Sequence, residues 1–342
     1  MSEVGNRPFP AEVTVWTDAG RAELASQVLD LMGSAVLPIG VGGPRVREVE
    51  QLAEQLDCPR EDDLRKLLVD RPAAFVLLAS VSPIQNQDVS EAVAAGTTVL
   101  TLEPFRSGIA RRAGAERSIR RPVPVSAGRI ELVPRFDQGE GWHSAADPTQ
   151  VLGAPRLMRL STCGGPRSTS LFARLYDAWR TVLAFGRDLP ESIDASLVGP
   201  LTEVPDDLRA MTGHLSAHAR LGSGGTDCSA VIEASDRSGR TARELCVVGE
   251  SGYLRVGDLD YELYDDNGEI VDRQEAGDRI MTDADLIAGN WRKLIDQPHT
   301  GSLPPKQDDD GPILACCLAC LLSARTHEAE SPGKLAEAHR GR

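Results

Sequence analysis

The sequence predicts an α/β protein with two domains. The first is an N-terminal doubly wound parallel sheet, and the second is a C-terminal α+β domain with a large, mostly antiparallel, open-faced sheet. Residues Ala73 to Ala79 form an unbroken apolar run, typical of a strand covered on both faces. Up to about residue 120, strand-like segments alternate with helical ones. Beyond it, short alternating segments are separated by turn signals such as Asp-Asn-Gly, which favour antiparallel pairing.

Hydrophobic periodicity predicts the elements of the first domain. Val89, Ala92 and Val93 recur at helical spacing after a polar loop, and Gly96 stands where that helix would end. The strands are predicted at Glu12–Trp16, Ala35–Val41, Ala73–Ala79 and Thr97–Leu102, and the other helices at Arg21–Met32, Val46–Leu56 and Asp62–Val69. Ligands bind outside the carboxyl ends of strands in open α/β sheets. We therefore expect the site near Ser80 and Glu103.

The second domain is predicted to follow a link rich in Arg, Ala, Gly and Pro, between Ser107 and Pro124, so that the domains are residues 1–120 and 121–342. The segment Leu171–Phe185 within it is predicted to be an amphipathic helix. Strands are predicted at Ala217–Leu221, Ser229–Ala234, Ala242–Val248, Tyr253–Val256 and Tyr261–Tyr264, and closing helices at Ala284–Ile295 and from Pro312 to about Glu328.

The amino-acid composition restricts which kinds of partner the protein is expected to bind and where in the cell it is expected to lie. The 51 acidic and 37 basic residues give a net charge of −14, which repels nucleic acid and anionic membranes. No run of about 18 apolar residues is present, and the start MSEVGNRPFP lacks the apolar core of a signal peptide. We therefore expect a cytoplasmic protein without nucleic-acid or membrane partners, whose seven cysteines are reduced thiols.

No metal site is expected. Cys316, Cys317 and Cys320 lie in the apolar segment PILACCLACLLSA, where free cysteine behaves as a small hydrophobic residue. His214 and His218 are four residues apart, but Gly213 and the strand-like pattern that follows argue against a shared helical face. Both groups are therefore better interpreted as structural.

The turn after the first strand departs from a phosphate-binding loop. Where the spacing G-x-G-x-x-G would place glycines, the sequence has Thr17, Ala19 and Ala22, and Gly20 is out of register. Each added Cβ stands where a pyrophosphate would approach most closely. The second strand is also not followed by the acidic residue that would bind an adenosine ribose.

Four segments, in this order and spacing, resemble the Gfo/Idh/MocA family, the NAD(P)-dependent oxidoreductases that act mainly on sugars and cyclitols. They are AVAAGTTVLTLEPF, LYDAWRTVLAFGRDLPESIDA with its Val-x-Ala-like strand, CVVGESGYLRV and the closing ACLLSARTHEAES. The resemblance implies a Rossmann-like first domain, a sugar-like ligand, and NAD or NADP as cofactor, or none. It also implies a homo-oligomer formed through the open face of the C-terminal sheet, which an apolar face would support and a polar face would oppose.

The resemblance also maps the family's working residues onto this chain. The lysine of the family's Glu-Lys-Pro motif falls on Glu103, and only Pro104 is retained. The Asp-x-x-x-His motif falls on Ser170 and Arg174, with Asp177 as the later aspartate. The mapped catalytic positions are Glu103 and Arg174, the substrate positions are Arg174 and Asp177, and the cofactor-binding positions are Thr17, Asp18, Ala19, Gly20, Ser80, Glu103 and Pro104.

Two interpretations follow from these substitutions. In the first, the protein has lost redox catalysis and survives as a ligand-binding, regulatory or scaffold protein. In the second, it is a divergent oxidoreductase in which Glu103 is the general base and Arg174 holds an anionic substrate. The first is favoured, because a moved proton relay would not be expected to coincide with loss of the phosphate-loop glycines. The sequence identifies neither the ligand nor a choice between NAD and NADP.

Overall fold

The computed structural model describes residues 10–81, 84, 86–105, 128–186, 189–200, 203–223, 226–277, 280–296 and 310–340. Within these ranges the chain forms two compact units. Unit 1 contains the residues up to Leu102, those from 128 to Val133, and those from Ile287 to 296; unit 2 contains the remainder. The predicted link, residues 107–124, and the predicted boundary at residue 120 lie outside the described residues.

Unit 1 is built on a parallel six-stranded sheet in the order β3-β2-β1-β4-β5-β6. All five residues of β4 are buried, as the unbroken apolar run predicts. The strands are β1 Ala11–Thr17, β2 Val36–Gly42, β3 Arg60–Glu61, β4 Phe75–Ala79, β5 Thr98–Thr101 and β6 Ile130–Leu132. The helices are α1 Ala22–Met32, α2 Arg47–Gln55, α3 Leu64–Asp70 and α4 Asn86–Ala94. The prediction of a doubly wound parallel sheet is confirmed.

The strand order places a topological switch point between β1 and β4. From β1 the sheet runs outward through β2 and β3 on one side and through β4, β5 and β6 on the other. Doubly wound sheets bind ligands in the crevice outside the carboxyl ends of the strands at this point. The residues after β1 and β4 therefore form the candidate site of unit 1.

Unit 2 contains an eight-stranded sheet in the order β14-β13-β12-β11-β7-β10-β9-β8. Neighbouring strands are antiparallel except β7 and β10, so the predicted mostly antiparallel sheet is confirmed. The strands are β7 Leu157–Cys163, β8 Ser192–Val198, β9 His214–Ser223, β10 Thr226–Ser235, β11 Ala242–Val248, β12 Tyr253–Gly257, β13 Tyr261–Tyr264 and β14 Ile270–Gln274.

Helices cover one face of this sheet. The long helix α7, Leu171–Gly186, carries Phe172, Leu175 and Trp179 into the core, and the indole N–H of Trp179 donates to Cys320 Sγ at 3.3 Å. The helices from α5 onward are α5 Glu140–Ser144, α6 Ala146–Val151, α7 Leu171–Gly186, α8 Asp283–Asp296, α9 Asp310–Thr326 and α10 Pro332–Arg340, and residues Phe136–Gln138 form a 3-10 turn. The division between the two units falls within α8, after Leu286.

The three clustered cysteines of α9 lie in this core. Cys316, Cys317 and Cys320 are fully buried, and burial raises the pKa of the Cys320 thiol to about 12. Among the described residues, no group of three metal-ligating side chains is close enough to hold a metal ion. The same part of the chain contains no helix with the length and apolar character needed to span a membrane.

The other face of the unit 2 sheet is mixed in character. Arg159 on β7 pairs with Glu233 on β10 at 2.8 Å, and His218 on β9 is exposed. Leu157 lies directly opposite Val248, and the two are 40% and 38% exposed. A small apolar patch is therefore present within a largely polar face.

Candidate functional site

The turn after β1 bridges the switch point of unit 1. The hydroxyl of Thr17 donates to the carbonyl of Ala79 at 3.1 Å, and the carboxylate of Asp18 accepts the backbone N–H of Val81 at 2.9 Å. The carbonyl of Ala79 lies at the end of β4, and the N–H of Val81 lies two residues beyond it. Two hydrogen bonds thus join the loops between which a dinucleotide would enter a doubly wound sheet.

Backbone N–H groups at the start of α1 donate hydrogen bonds within the turn that precedes the helix. The N–H groups of Arg21 and Ala22 both donate to the carbonyl of Asp18, at 3.1 and 3.0 Å. Ala19 and Gly20 are exposed at the tip of the turn, whereas Ser80 is buried. Two N–H groups at the start of the helix are therefore engaged within the turn, where a phosphate-binding loop would direct such groups at a pyrophosphate.

These residues do not fit a dinucleotide in the usual manner. The carboxylate of Asp18 places negative charge at the crevice where a pyrophosphate would be bound, and like charges repel. Side chains at Thr17, Ala19 and Ala22 replace the glycines that permit close approach. The turn after β1 therefore lacks the features with which a doubly wound sheet holds a dinucleotide.

In unit 2, the start of α7 is capped by Ser170 and Glu103 together. The hydroxyl of Ser170 donates to Glu103 Oε2 at 2.5 Å, and its backbone N–H donates to Oε1 at 3.3 Å. The same hydroxyl accepts the N–H of Ala173 at 3.0 Å, as an N-cap residue does. Glu103 is 6% exposed and Pro104 after it is buried. Its negative charge complements the positive end of the helix dipole.

Arg174 lies one turn further along α7 and is buried in a network of acceptors. Its Nη1 donates to the carbonyl of Cys163 at 3.1 Å, and its Nη2 donates to the hydroxyl of Ser168 at 2.6 Å and to Asp283 Oδ2 at 3.4 Å. Arg174 is only 4% exposed. Burial lowers the pKa of its guanidinium, and the neighbouring Asp283 carboxylate opposes that shift.

The guanidinium of Arg174 explains a glycine in the preceding loop. A Cβ on Gly164 would stand 1.8 Å from Arg174 Nη2, so this position must lack a side chain while Arg174 is in place. Asp283 also accepts the hydroxyl of Thr241 at 2.9 Å. Within the described residues, Arg174 Nε and Asp283 Oδ1 have no hydrogen-bond partner, so each buried charge is only partly satisfied.

Asp177 occupies the next position on the same face of α7. Its carboxylate accepts the backbone N–H of Phe136 at 3.0 Å and Arg243 Nη1 at 3.3 Å. Arg243 is held in turn by Asp258, with Nε at 2.9 Å and Nη2 at 2.6 Å from Oδ1. Burial raises the pKa of Asp177 to about 6, although the charge of Arg243 acts in the opposite direction.

The structure thus gathers the mapped residues into two groups. In unit 1, Thr17, Asp18 and Ser80 lie at the switch point. In unit 2, Glu103 contacts Ser170, and Arg174 and Asp177 follow along α7. Sequence reasoning missed the partners Ser168, Arg243, Asp258 and Asp283. Neither periodicity nor a motif marks them, because they meet α7 only through the tertiary fold.

No protein-family model and no curated protein sequence matches this chain. Solved structures do match it along nearly its whole length. An oxidoreductase from Agrobacterium radiobacter, in complex with NAD+, L-tartaric acid and magnesium, is 12% identical with a TM-score of 0.66, over 95% of this chain and 99% of that one. The myo-inositol 2-dehydrogenase of Lactobacillus plantarum is 14% identical with a TM-score of 0.67, over 94% and 99%.

A third similar structure is the UDP-N-acetylglucosamine 3-dehydrogenase of Acidithiobacillus ferrooxidans, which is 16% identical with a TM-score of 0.64, over 93% of this chain and 99% of that one. These neighbours are oxidoreductases of the Gfo/Idh/MocA type. The chain therefore has their two-domain fold, and the predicted resemblance is confirmed at the level of the fold.

Proposed function

We propose that this chain is a Gfo/Idh/MocA-type protein that has lost NAD(P)-dependent hydride transfer and acts as a ligand-binding or scaffold and regulatory protein. The observation that carries the proposal is the bridged switch point. The carboxylate of Asp18 and the hydroxyl of Thr17 join the loops after β1 and β4, where a pyrophosphate would need backbone donors and open space.

The residues of unit 2 support the same proposal. Glu103 stands where the family has a lysine, and both its carboxylate oxygens accept hydrogen bonds from Ser170. Arg174 stands where the family has a proton-accepting histidine, and its two Nη atoms are already bound to protein acceptors. A guanidinium stays protonated and therefore does not accept a substrate proton.

The proposed ligand is a small sugar-like molecule. Structures similar to this chain include a myo-inositol dehydrogenase and a complex with L-tartaric acid. The net charge of −14 disfavours nucleic acid and anionic membrane surfaces as partners. A cytoplasmic location accompanies this proposal.

The alternative function is a divergent NAD(P)-dependent dehydrogenase acting on a sugar, cyclitol or sugar-acid hydroxyl. It is favoured by the fold shared with an NAD+ complex. In this alternative, Glu103 is the general base that accepts the hydroxyl proton and Arg174 holds an anionic substrate.

An assay of cofactor reduction distinguishes the ligand-binding function from the dehydrogenase alternative. Purified protein is assayed for NAD+ and NADP+ reduction with a panel of polyols, inositols and sugar acids. The proposed function predicts no reduction by the native chain, while some panel members still raise its melting temperature without cofactor. Cofactor reduction that Glu103→Gln abolishes would support the dehydrogenase instead.

A homo-oligomer formed through the open face of the unit 2 sheet is a separate proposal. The largely polar character of this face opposes it, so the proposal depends on the small apolar patch formed by Leu157 and Val248, which lie opposite each other and are partly exposed. Light scattering during gel filtration tests it, with Leu157→Asp expected to dissociate the oligomer and the exposed change Val69→Asp as a matched control. A native protein that elutes as a monomer would contradict it.

A further inference from the structure

The chain crosses from one unit to the other at several points, which we call passages. The face of α7 that carries the mapped site residues forms hydrogen bonds to residues near these passages. In the described residues, such passages occur between Leu102 and Glu103, between Val133 and Pro134, and between Leu286 and Ile287. At each passage, one residue of unit 2 is hydrogen-bonded to α7 or to its cap residue Ser170. This residue lies within four positions of the passage. These residues are Glu103, Phe136 and Asp283.

One helix stripe makes all three contacts. Ser170, Arg174 and Asp177 are four and three residues apart, so they project from the same face of a helix. Ser170 binds Glu103, Asp177 binds the backbone of Phe136, and Arg174 binds Asp283. We call Ser170, Arg174 and Asp177 the α7 stripe.

The contacts of the α7 stripe are costly to break because they are buried. Arg174, Asp177 and Asp283 are at most 7% exposed, and Glu103 is 6% exposed. Opening such a contact leaves a buried charge or a buried backbone N–H without its partner, which costs far more than separating an exposed pair. Each passage segment is therefore held at a point where local opening is strongly penalised.

The stripe's charges also act on one another. Arg243 binds Asp177 and at the same time opposes the charge of Arg174, and the carboxylate of Asp283 stabilises the charged form of Arg243 as well as that of Arg174. Alternating buried charges of this kind form a network whose members are not energetically independent. A change at one contact is therefore transmitted to the others.

We propose that the α7 stripe is a clamp of positioning residues that couples the three passage segments of unit 2, residues 103–105, 134–138 and 283–286. Arg174 and Asp177, which the family resemblance maps as catalytic or substrate positions, bind passage residues in this chain. The inference concerns the mechanics of unit 2 and stands whether or not the protein binds a cofactor.

Hydrogen exchange under native conditions tests the clamp on the full chain. Ser170→Ala removes the contacts with Glu103 and Ala173, and Asp177→Ala removes the contacts with Phe136 and Arg243. Two buried hydrogen bonds away from the stripe provide the controls. Ser323 accepts the N–H of Ala195 at 2.9 Å, and Asp236 accepts the N–H of Gly213 at 2.7 Å. Ser323→Ala and Asp236→Ala therefore delete the same kinds of side chain. Asp236 is buried to the same extent as Asp177, and Ser323 is more deeply buried than the half-buried Ser170.

We expect each stripe variant to accelerate exchange about tenfold in all three passage segments, as the loss of a buried hydrogen bond implies. The control variants leave those segments unchanged, and Ser170→Thr, which keeps the hydroxyl, restores native exchange. Acceleration confined to the segment that the altered residue touches would show three independent contacts and overturn the clamp. Equal acceleration in the controls would also overturn it, because global destabilisation would then be the cause.

Discussion

The turn after β1 and the start of α7 differ in how their residues are bound. At the turn, Asp18 makes one side-chain contact across the loops, and Ala19 and Gly20 are exposed. At the start of α7, Arg174 and Asp177 are buried and each is held by several partners. Both places depart from the family pattern, but the first departure lies partly in solvent and the second is built into the core. The energetic cost of altering them should differ accordingly.

The largest effect is expected at Arg174. Arg174→Leu leaves the Asp283 carboxylate buried without its cation, so the free energy of unfolding in urea should fall by about 3–5 kcal/mol. The double variant Arg174→Leu/Asp283→Asn removes the uncompensated charge and should be more stable than the single variant. A loss below about 1 kcal/mol would mean that the Arg174–Asp283 pair contributes no more than an exposed ion pair does. The cost of altering α7 would then not differ from that of altering the turn after β1.

The second effect concerns pH. The pKa of Asp177 rises from 3.8 to about 6 on folding, so the native state binds this proton more tightly than the unfolded state does. Its contribution to stability is therefore fully present below about pH 4 and is lost as the pH rises through about 6, by up to about 3 kcal/mol. The difference in unfolding free energy between the native chain and Asp177→Asn, measured from pH 4 to 8, isolates this group. A difference independent of pH would contradict the assignment.

The third effect comes from Gly164. In Gly164→Ala the new methyl group displaces the Arg174 guanidinium, and the expected cost is about 1–3 kcal/mol of unfolding free energy. Gly165→Ala is the matched control, because its nearest neighbour would be 3.8 Å away. In an Arg174→Leu background, the cost of Gly164→Ala should shrink. Equal costs in both backgrounds would show that the two residues do not interact.

The smallest effect is expected at the turn. Asp18→Ala removes the acceptor of the Val81 N–H at a partly exposed site, so it should cost only about 0.5–1.5 kcal/mol of unfolding free energy. Urea unfolding beside Arg174→Leu checks the ranking. A cost at Asp18 equal to that at Arg174 would show that the turn is as deeply integrated as the helix.

The sequence predicts the elements better than it predicts their contacts. The apolar run at Ala73–Ala79 and the stripe of Leu171–Phe185 predict strand β4 and helix α7 nearly to their ends, because local periodicity records which face is buried. The central strand β7 was missed. Leu157 and Met158 put apolar residues on both faces at its start, which obscures the alternation.

The candidate site was predictable only in part. The family resemblance placed Glu103 and Ser170 at related positions, and the structure brings them into contact across 67 residues of sequence. The partners of Arg174 and Asp177 were not predictable, because Asp283 is 109 residues from Arg174 and Arg243 is 66 residues from Asp177. Such pairings depend on how strands and helices are arranged in three dimensions, and hydrophobic patterning carries no record of them.

Measuring cofactor binding tests whether the bridged switch point of unit 1 excludes a dinucleotide. NAD+, NADH, NADP+ and NADPH are titrated into the full chain by calorimetry, in parallel with a Thr17→Gly/Asp18→Ser/Ala19→Gly/Ala22→Gly variant that restores an open glycine loop. We expect no heat of binding to the native chain at millimolar cofactor, because Asp18 and Thr17 bridge the switch point. Micromolar binding of any of the four to the native chain would contradict it and establish the dehydrogenase alternative as the stronger one.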